Sequence, residues 1–387
     1  MGSRRIERVA VLGSGIMGHG IAQISAMAGY RVTMRDVEQQ FLDKAMERIR
    51  WSLGKMVEKG RISSSEMDEI MGRISVTVDI ERAVKDSDLV IEAIPEEMRL
   101  KKETFARIDA LAPSHAVFAS NTSTLPITEM ADATKRGDRF IGIHFFNPPQ
   151  LMQLVEIIPG ASTSTSTVDI AMGYVRSLKK EPILCRKDVA GFIVNRIFIP
   201  LVHEAAWELK EGKASMREID AGFKFRLGFP MGIFELADYT GIDVVHKATK
   251  EMYSRDRKVV NPCPLVEELY AKGHYGQKSG KGFYEYGQGS YARIELSMQE
   301  AERYDPVRLL AVAINNASWL ISNDVAGKED VERALILGMG LKEGIFAIAG
   351  RVGYARLVDT LRALRIGSRN EFYEPDSWLL NLVKSSS

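Results

Sequence analysis

The sequence holds only two cysteines, Cys185 and Cys263, among 387 residues. Two thiols this far apart exclude a disulfide scaffold and offer no zinc spacing. His115, His203, His246 and His274 also lack metal-ligand spacing, so no metal is expected. No apolar run comes near the ~18 residues that a membrane span needs. The run Val9–Leu12 meets glycines at once and is too brief for a signal-peptide core. Charge of either sign is not in excess: 52 Lys and Arg face 51 Asp and Glu, a formal net charge of +1. A nucleic-acid-binding domain carries a basic surplus, so no such partner is expected. These absences leave a soluble, cytoplasmic chain without a membrane partner, long enough for two or three domains.

What is present is an alternation of short β-branched runs with helical stretches. Strands are expected at Arg8–Leu12, Arg31–Arg35, Leu89–Ile91, Ala116–Ala119 and Arg139–Ile143, with helices at 16–29 and 38–59 between the early ones. Such alternation means βαβ units and a mostly parallel sheet. From Gly191 the pattern turns helical, with Gly and Pro confined to turns such as Gly228–Gly232. A shift of 112 residues lays 205–241 on 317–353 without a gap. Trp207 then meets Trp319, and Gly228, Gly232, Ile233 and Phe234 meet identical residues. Repetition at a fixed period marks duplicated units. The expected fold is an α/β doubly wound domain over 1–188, then two tandem all-α domains over 189–294 and 295–387.

Three constellations carry chemistry. Gly13-Ser14-Gly15-Ile16-Met17-Gly18 follows a strand and opens a helix, which is where a pyrophosphate can rest on helix N–H groups. Asp36 ends the second strand, 18 residues after Gly18, placed to accept ribose hydroxyls and to repel a 2′-phosphate. NAD is therefore favoured over NADP, with Arg35 beside the carboxylate as the opposing feature. His144 ends a strand, and Glu156 follows within the apolar run Leu154–Ile158. A carboxylate among apolar neighbours needs a partner, and an imidazole would give a base of fixed tautomer. The residues alone leave open whether these two meet. Ser120–Thr124 could face a ligand at a sheet edge, although such clusters also serve as turns and helix caps.

Together, Gly13–Gln23, Ser120-Asn-Thr-Ser123, His144-Phe-Phe-Asn-Pro148, Gly191-Phe-Ile-Val-Asn-Arg196 and Lys278-Ser-Gly-Lys-Gly-Phe-Tyr284 resemble the 3-hydroxyacyl-CoA dehydrogenases. The resemblance spans residues 6 to about 286. It implies NAD-dependent oxidation of (S)-3-hydroxyacyl-CoA to 3-ketoacyl-CoA, as in fatty-acid β-oxidation. On this likeness His144 is the general base and Glu156 its orienting acid, while Ser123 and Asn195 hydrogen-bond the substrate. NAD contacts fall on Gly13, Ser14, Gly15, Ile16, Met17, Gly18, Asp36, Glu96, Lys101, Ser123, Asn147 and Lys278. Coenzyme A contacts fall on Ser52, Lys59 and Ser123.

Bifunctional members carry a tandem helical copy and some are fused to an enoyl-CoA hydratase, so this chain could be one module of such a fusion. In the repeat register Asn195 faces Val307. The second copy is therefore expected to be structural, packing on the first as an intramolecular pseudo-dimer. Two other functions fit the scaffold: a dehydrogenase of a free hydroxy or sugar acid, and a non-catalytic, crystallin-like NAD-binding protein. Shared fold does not choose between substrates.

Overall fold

The computed structural model describes residues 6–287 and 293–385. The chain folds as two units, the first reaching Asp188 and the second starting at Val189.

The first unit is built on eight strands: β1 (Arg8–Leu12), β2 (Arg31–Arg35), β3 (Ile74–Thr77), β4 (Leu89–Glu92), β5 (Val117–Ser120), β6 (Phe140–Phe145), β7 (Leu154–Pro159) and β8 (Glu181–Leu184). Its helices are α1 (Ile16–Met27), α2 (Gln39–Glu58), α3 (Ser64–Gly72), α4 (Ile80–Val84), α5 (Met98–Asp109), α6 (Ile127–Ala131) and α7 (Thr165–Ser177). The sheet order is β3-β2-β1-β4-β5-β6-β7-β8. Every neighbouring pair is parallel except β6–β7. The reversal follows from chain length: residues 146–153 are too few for a crossover, so the second strand must run back beside the first. Helix α7 restores the crossover, and β8 pairs with β7 in parallel.

Strands β4, β5 and β6 are buried along their whole length. That is the state of a parallel sheet covered on both faces, and it is why they read as continuous apolar runs. Val9, Val11, Ile91, Ile143 and Val155 line one side of this core with Ile21, Leu42, Ile49 and Leu53 from α1 and α2. Each such side chain contributes about 1.5–3 kcal/mol by leaving water. Between β1 and β4 the strand order reverses direction, which opens a crevice at their carboxyl ends.

The second unit is helical. It begins with α8 (Val194–Lys210), α9 (Met216–Arg226), α10 (Ile233–Thr240), α11 (Ile242–Arg255) and α12 (Pro264–Ala271). After the short α13 (Met298–Glu302) come α14 (Val307–Ser322), α15 (Lys328–Met339), α16 (Ile345–Val352), α17 (Tyr354–Ser368) and α18 (Ser377–Ser385). The 112-residue shift lays each of α8–α12 on its counterpart in α14–α18, with ends agreeing to within two residues.

Helices α8 and α14 pack against each other. The Arg196 guanidinium lies over the Trp319 ring, 3.2 Å from its centroid. Arg308, the repeat counterpart of Arg196, donates to Glu204 and, at 2.7 Å, to Glu211, which flank Trp207. Asn261 Nδ2 donates to Tyr373 Oη at 3.0 Å, and these two are repeat counterparts of each other.

Candidate active site

Strand β1 feeds directly into Gly13-Ser14-Gly15 and then α1, and each glycine answers a different demand. Gly13 has φ +97°, a left-handed conformation that strains any other residue. A methyl group on Gly18 would stand 1.8 Å from Gly13 O, so the close return of the helix to the loop requires its absence. At Gly15 a methyl group would meet nothing within 4 Å. No internal packing calls for glycine there, and the open space suits the approach of a pyrophosphate to the backbone.

Helix α1 has no side-chain cap and no acid in its first turn, so its N–H groups keep an anion-binding end. Asp36 follows β2 and is tied to the loop: its Oδ2 accepts from Ser14 N and Ser14 Oγ, both at 2.7 Å, and its Oδ1 from Val37 N at 2.7 Å. Arg35 turns to Val78 O, to which its Nε donates at 3.2 Å. Ile16 is exposed beside the loop, and Met17 is half-buried.

One strand further along, a buried ionic cluster holds the ends of β4 and β5 together. The Lys101 ammonium is 1% exposed. It donates to Glu92 Oε1 at 2.6 Å and to Ile94 O at 3.3 Å, and lies 3.1 Å from Glu96 Oε2. Glu92 Oε2 accepts from Ser120 Oγ at 2.6 Å. Glu96 Oε1 accepts from Thr122 Oγ1 at 2.6 Å, Ser123 N at 2.9 Å and Ser123 Oγ at 3.2 Å. Burial opposes the charge of Glu96, but the Lys101 ammonium and these donors outweigh it and hold its pKa below the ordinary value. Burial likewise opposes the charge of Lys101, and Glu92 and Glu96 reverse that, raising its pKa.

The expected residues Glu96, Lys101 and Ser123 are thus one network. Glu92, its fully buried centre, was not anticipated from sequence. A carboxylate closing the apolar run Leu89–Ile91 was the available signal.

His144 on β6 stands directly opposite Glu156 on β7 in the antiparallel register. Their side chains meet: His144 Nδ1 donates to Glu156 Oε2 at 2.8 Å, with the carboxylate wholly buried and the ring 6% exposed. An Nδ1–H bound to a carboxylate puts the imidazole lone pair on Nε2, the nitrogen that can take a proton from a ligand. Phe146 lies against the His144 ring at 4.5 Å between centroids, and Asn121 Oδ1 accepts from Phe145 N at 2.9 Å, tying the end of β5 to β6 beside His144. Asn147 follows in the loop, exposed, with a cis bond to Pro148.

Ser52 and Lys59 come together in one cavity of about 690 Å³, also lined by Pro148, Gln150 and Leu151 from the loop after His144. Gln23 Nε2 donates to Ser52 Oγ at 3.0 Å, and Gln23 Oε1 accepts from Gln150 Nε2 at 3.3 Å. This chain of bonds links the loop to α1 and α2. His19, in the first turn of α1, donates from Nδ1 to Gly15 O at 2.7 Å, and burial lowers its pKa, keeping it neutral.

Asn195 and Lys278 belong to the second unit. Asn195 is in the first turn of α8, and Lys278 Nζ lies 2.5 Å from Asp243 Oδ1.

A glycine loop on an uncapped helix end, a carboxylate directly after the second strand and an oriented imidazole near a strand end are the equipment of a nicotinamide-dinucleotide-dependent oxidoreductase. The profile of the 3-hydroxyacyl-CoA dehydrogenase NAD binding domain matches residues 8–189, and that of the C-terminal domain matches 191–286 and 307–387. The chain belongs to the 3-hydroxyacyl-CoA dehydrogenase family, and its cofactor is NAD.

Hydroxyacyl-coenzyme A dehydrogenase of Sus scrofa mitochondria is 39% identical over 288 residues, 73% of this chain and 91% of that protein. The fatty acid oxidation complex subunit alpha of Idiomarina loihiensis is 35% identical over 355 residues, 87% of this chain and 49% of that protein. Among solved structures, 3-hydroxybutyryl-CoA dehydrogenase from Escherichia coli superposes with a TM-score of 0.88 at 27% identity, covering 99% of both chains. Among the described residues, no helix is long and apolar enough to cross a membrane.

Proposed function

We propose that the chain oxidises (S)-3-hydroxyacyl-CoA esters to 3-ketoacyl-CoA, with His144 as the general base. The observation that carries this reading is the 2.8 Å bond from His144 Nδ1 to the buried Glu156. NAD, when bound, would supply the acceptor for the hydride released from the substrate C3–H. His144 Nε2 accepts the C3 hydroxyl proton, and the Glu156 carboxylate stabilises the imidazolium that forms. Ser123, held to Glu96 through its backbone N–H, turns its hydroxyl from Glu96 to the substrate oxygen, and Asn195 hydrogen-bonds the thioester end. Asp36 accepts from the adenosine ribose, while Glu96, Lys101, Asn147 and Lys278 complete the dinucleotide contacts. Ser52 and Lys59 bind coenzyme A.

The division into 1–188, 189–294 and 295–387 assigns catalysis to the first two parts and a supporting role to the third. The second copy takes the place of a partner subunit. Isologous packing makes contacts reciprocal, so residues on the two-fold axis meet their own counterparts. The Asn261–Tyr373 bond supports this. So does the pair of contacts in which Arg196 reaches Trp319 while Arg308 reaches the turn around Trp207. The buried thiols Cys185 and Cys263 suit a reducing compartment such as the cytoplasm. The likeness to the fatty acid oxidation complex subunit is in keeping with the chain acting as the dehydrogenase module of a longer protein.

The test is NADH oxidation with acetoacetyl-CoA and, separately, free acetoacetate. Turnover of the thioester alone is expected. Glu156→Gln should retain folding and NADH binding while kcat falls on the order of 10²–10⁴-fold. His144→Ala should lose at least as much, and the double variant little more than the worse single one. A kcat near wild type in either single variant removes the assignment.

A further inference from the structure

Glu92 closes β4 directly opposite Ser120, the last residue of β5, and its carboxylate is wholly buried. Its hydrogen bonds are all with donors. Oε1 accepts from the Lys101 ammonium at 2.6 Å and from Ile94 N at 2.8 Å, and Oε2 accepts from Ser120 Oγ at 2.6 Å. Ser120 Oγ itself accepts from Thr122 N at 3.2 Å, which leaves its own proton for Glu92. A carboxyl group whose two oxygens serve only as acceptors is in its ionised form. Lys101 also donates to Ile94 O, so acid and base grip both sides of one residue, two places before Glu96.

The charges in this cluster do not cancel. An ammonium has three donors, and Glu92, Ile94 O and Glu96 engage all of them. One cation therefore stands between two carboxylates, and the cluster keeps one net negative charge. Excess charge in a buried place is costly. Shape does not require it, since a glutamine at 92 has the same length and an amide oxygen to accept from Lys101 and Ile94. Glu96 is the member through which the excess meets the outside, with its side chain 30% exposed. A cation arriving there would offset the charge.

Glu96 Oε1 also holds the backbone N–H of Ser123, whose hydroxyl meets the substrate oxygen in the reading above. The carbon that loses hydride bears that oxygen, so the nicotinamide end of the dinucleotide belongs beside this cluster. NAD and NADH carry the same phosphates, but the oxidised ring is a cation and the reduced ring is neutral. We infer that Glu92 is a positioning residue whose carboxylate leaves the cluster one negative charge at the nicotinamide end, favouring the oxidised ring over the reduced one. This rests on the proposed function for the place of the ring. It gives a role to a residue that acts only through Lys101, Ser120 and Glu96. In the direction of hydroxyacyl oxidation, the preference draws the oxidised cofactor in and loosens the reduced one.

The experiment measures Kd for NAD and for NADH by calorimetry, on the free enzyme and without acyl substrate. Glu92→Gln makes the cluster neutral and should raise Kd for NAD about 3- to 30-fold, with Kd for NADH moving less than about twofold. Ser120→Ala keeps the charge and removes one bond, so any loss should fall equally on both forms. Combining Glu92→Gln with Lys101→Met leaves Glu96 alone and restores one negative charge. The ratio of the two Kd values should then return toward that of the wild type, even if both affinities drop. An unchanged ratio in Glu92→Gln, or a ratio that stays shifted in the double variant, would overturn the inference.

Turnover separates this claim from the reaction. A ratio that follows the charge in a protein that does not turn over acetoacetyl-CoA supports the role of Glu92 and removes the thioester reading. Turnover of acetoacetyl-CoA with a ratio indifferent to Glu92 refutes the role of Glu92 alone.

Discussion

The two helical copies share their scaffold and differ in their polar equipment. Gly228 and Gly340 both sit at positive φ, +81° and +73°, and Gly241 and Gly353 at +105° and +97°. Asp220 Oδ1 accepts from Phe234 N at 2.8 Å, and in the second copy Glu332 Oε1 accepts from Phe346 N at 3.3 Å. Turns and helix starts are thus kept by the same bonds.

Asp238 of the first copy, buried, gathers Phe283 N at 2.9 Å, Tyr284 N at 2.8 Å and Tyr286 Oη at 3.0 Å, mooring the segment that follows Lys278. Its counterpart is Gly350, which has no carboxylate to offer. Asn195 becomes Val307, and Glu204 becomes Asn316. The bonds that start the helices are held twice, and these polar side chains are held once. A duplicated fold can keep its packing in both copies while one of them sheds polar groups.

The largest effect that probes this contrast is deletion of residues 296–387. Ile314 and Ala317 of α14 are fully buried, and without that helix the surface of α8 would face water. Sedimentation should then show dimers or aggregates in place of a monomer, and a soluble, fully active monomer would refute the pseudo-dimer.

Next come the two ends of the repeat register. Asn195→Ala should lower kcat/KM by about 10²-fold, the usual cost of one positioned donor, whereas Val307→Asn should leave steady-state rates within twofold. A comparable loss in both would mean that the second copy also serves the reaction.

The third concerns the ions between the copies. Glu204 is fully buried and bound to Arg308 and, at 2.9 Å, to Tyr373 Oη. Burial raises its pKa against the pull of Arg308. Arg308→Met strands this carboxylate and should cost about 3–5 kcal/mol in urea unfolding, against at most ~1 kcal/mol for the exposed pair Arg356–Asp305. Equal costs would show that the copies are not held in register by this cluster.

The smallest effect is in pH. Burial raises Glu208 and Asp220 to about 7 and Asp238 to about 6, and all three lie in the first copy. Their folded-state pKa values exceed the unfolded ones near 4, so the native state binds more protons between those limits. Their contribution to stability is complete below about pH 4 and lost as pH rises through 6 to 7. Asp238→Asn should make the fall in urea midpoint from pH 5 to pH 8 shallower. An unaltered slope would mean that this carboxylate is not protonated in the folded protein.

Much of the fold was legible because apolar strands and glycine turns are local signals. Strand β3 was missed since Ile74–Thr77 is four residues long with Ser75 between its apolar members. The candidate site was legible where strand ends carried it: Gly13–Gly18 and Asp36 directly follow β1 and β2, and His144 is the last but one residue of β6. Residue pattern alone leaves open that His144 and Glu156 meet, which the family resemblance implies, because the meeting depends on β7 running antiparallel, a fact of loop length and not of residue type. The Glu92–Lys101 centre and the cavity around Ser52 and Lys59 were out of reach for the same reason. Its lining residues Arg48, Arg61 and Lys180 come from separate parts of the chain, and only the folded sheet assembles them.

The reversed pairing of β6 and β7 has one more consequence, for how such an enzyme can diversify. His144 and Glu156 are set opposite each other by the ladder, while residues 146–153 between them form a loop whose Pro148, Gln150 and Leu151 line the cavity. On the proposed function, proton transfer and ligand contact therefore reside on one hairpin but on different atoms of it. Lineages, or a designer, can rewrite the loop to admit another acyl ester and leave the proton-transfer couple untouched.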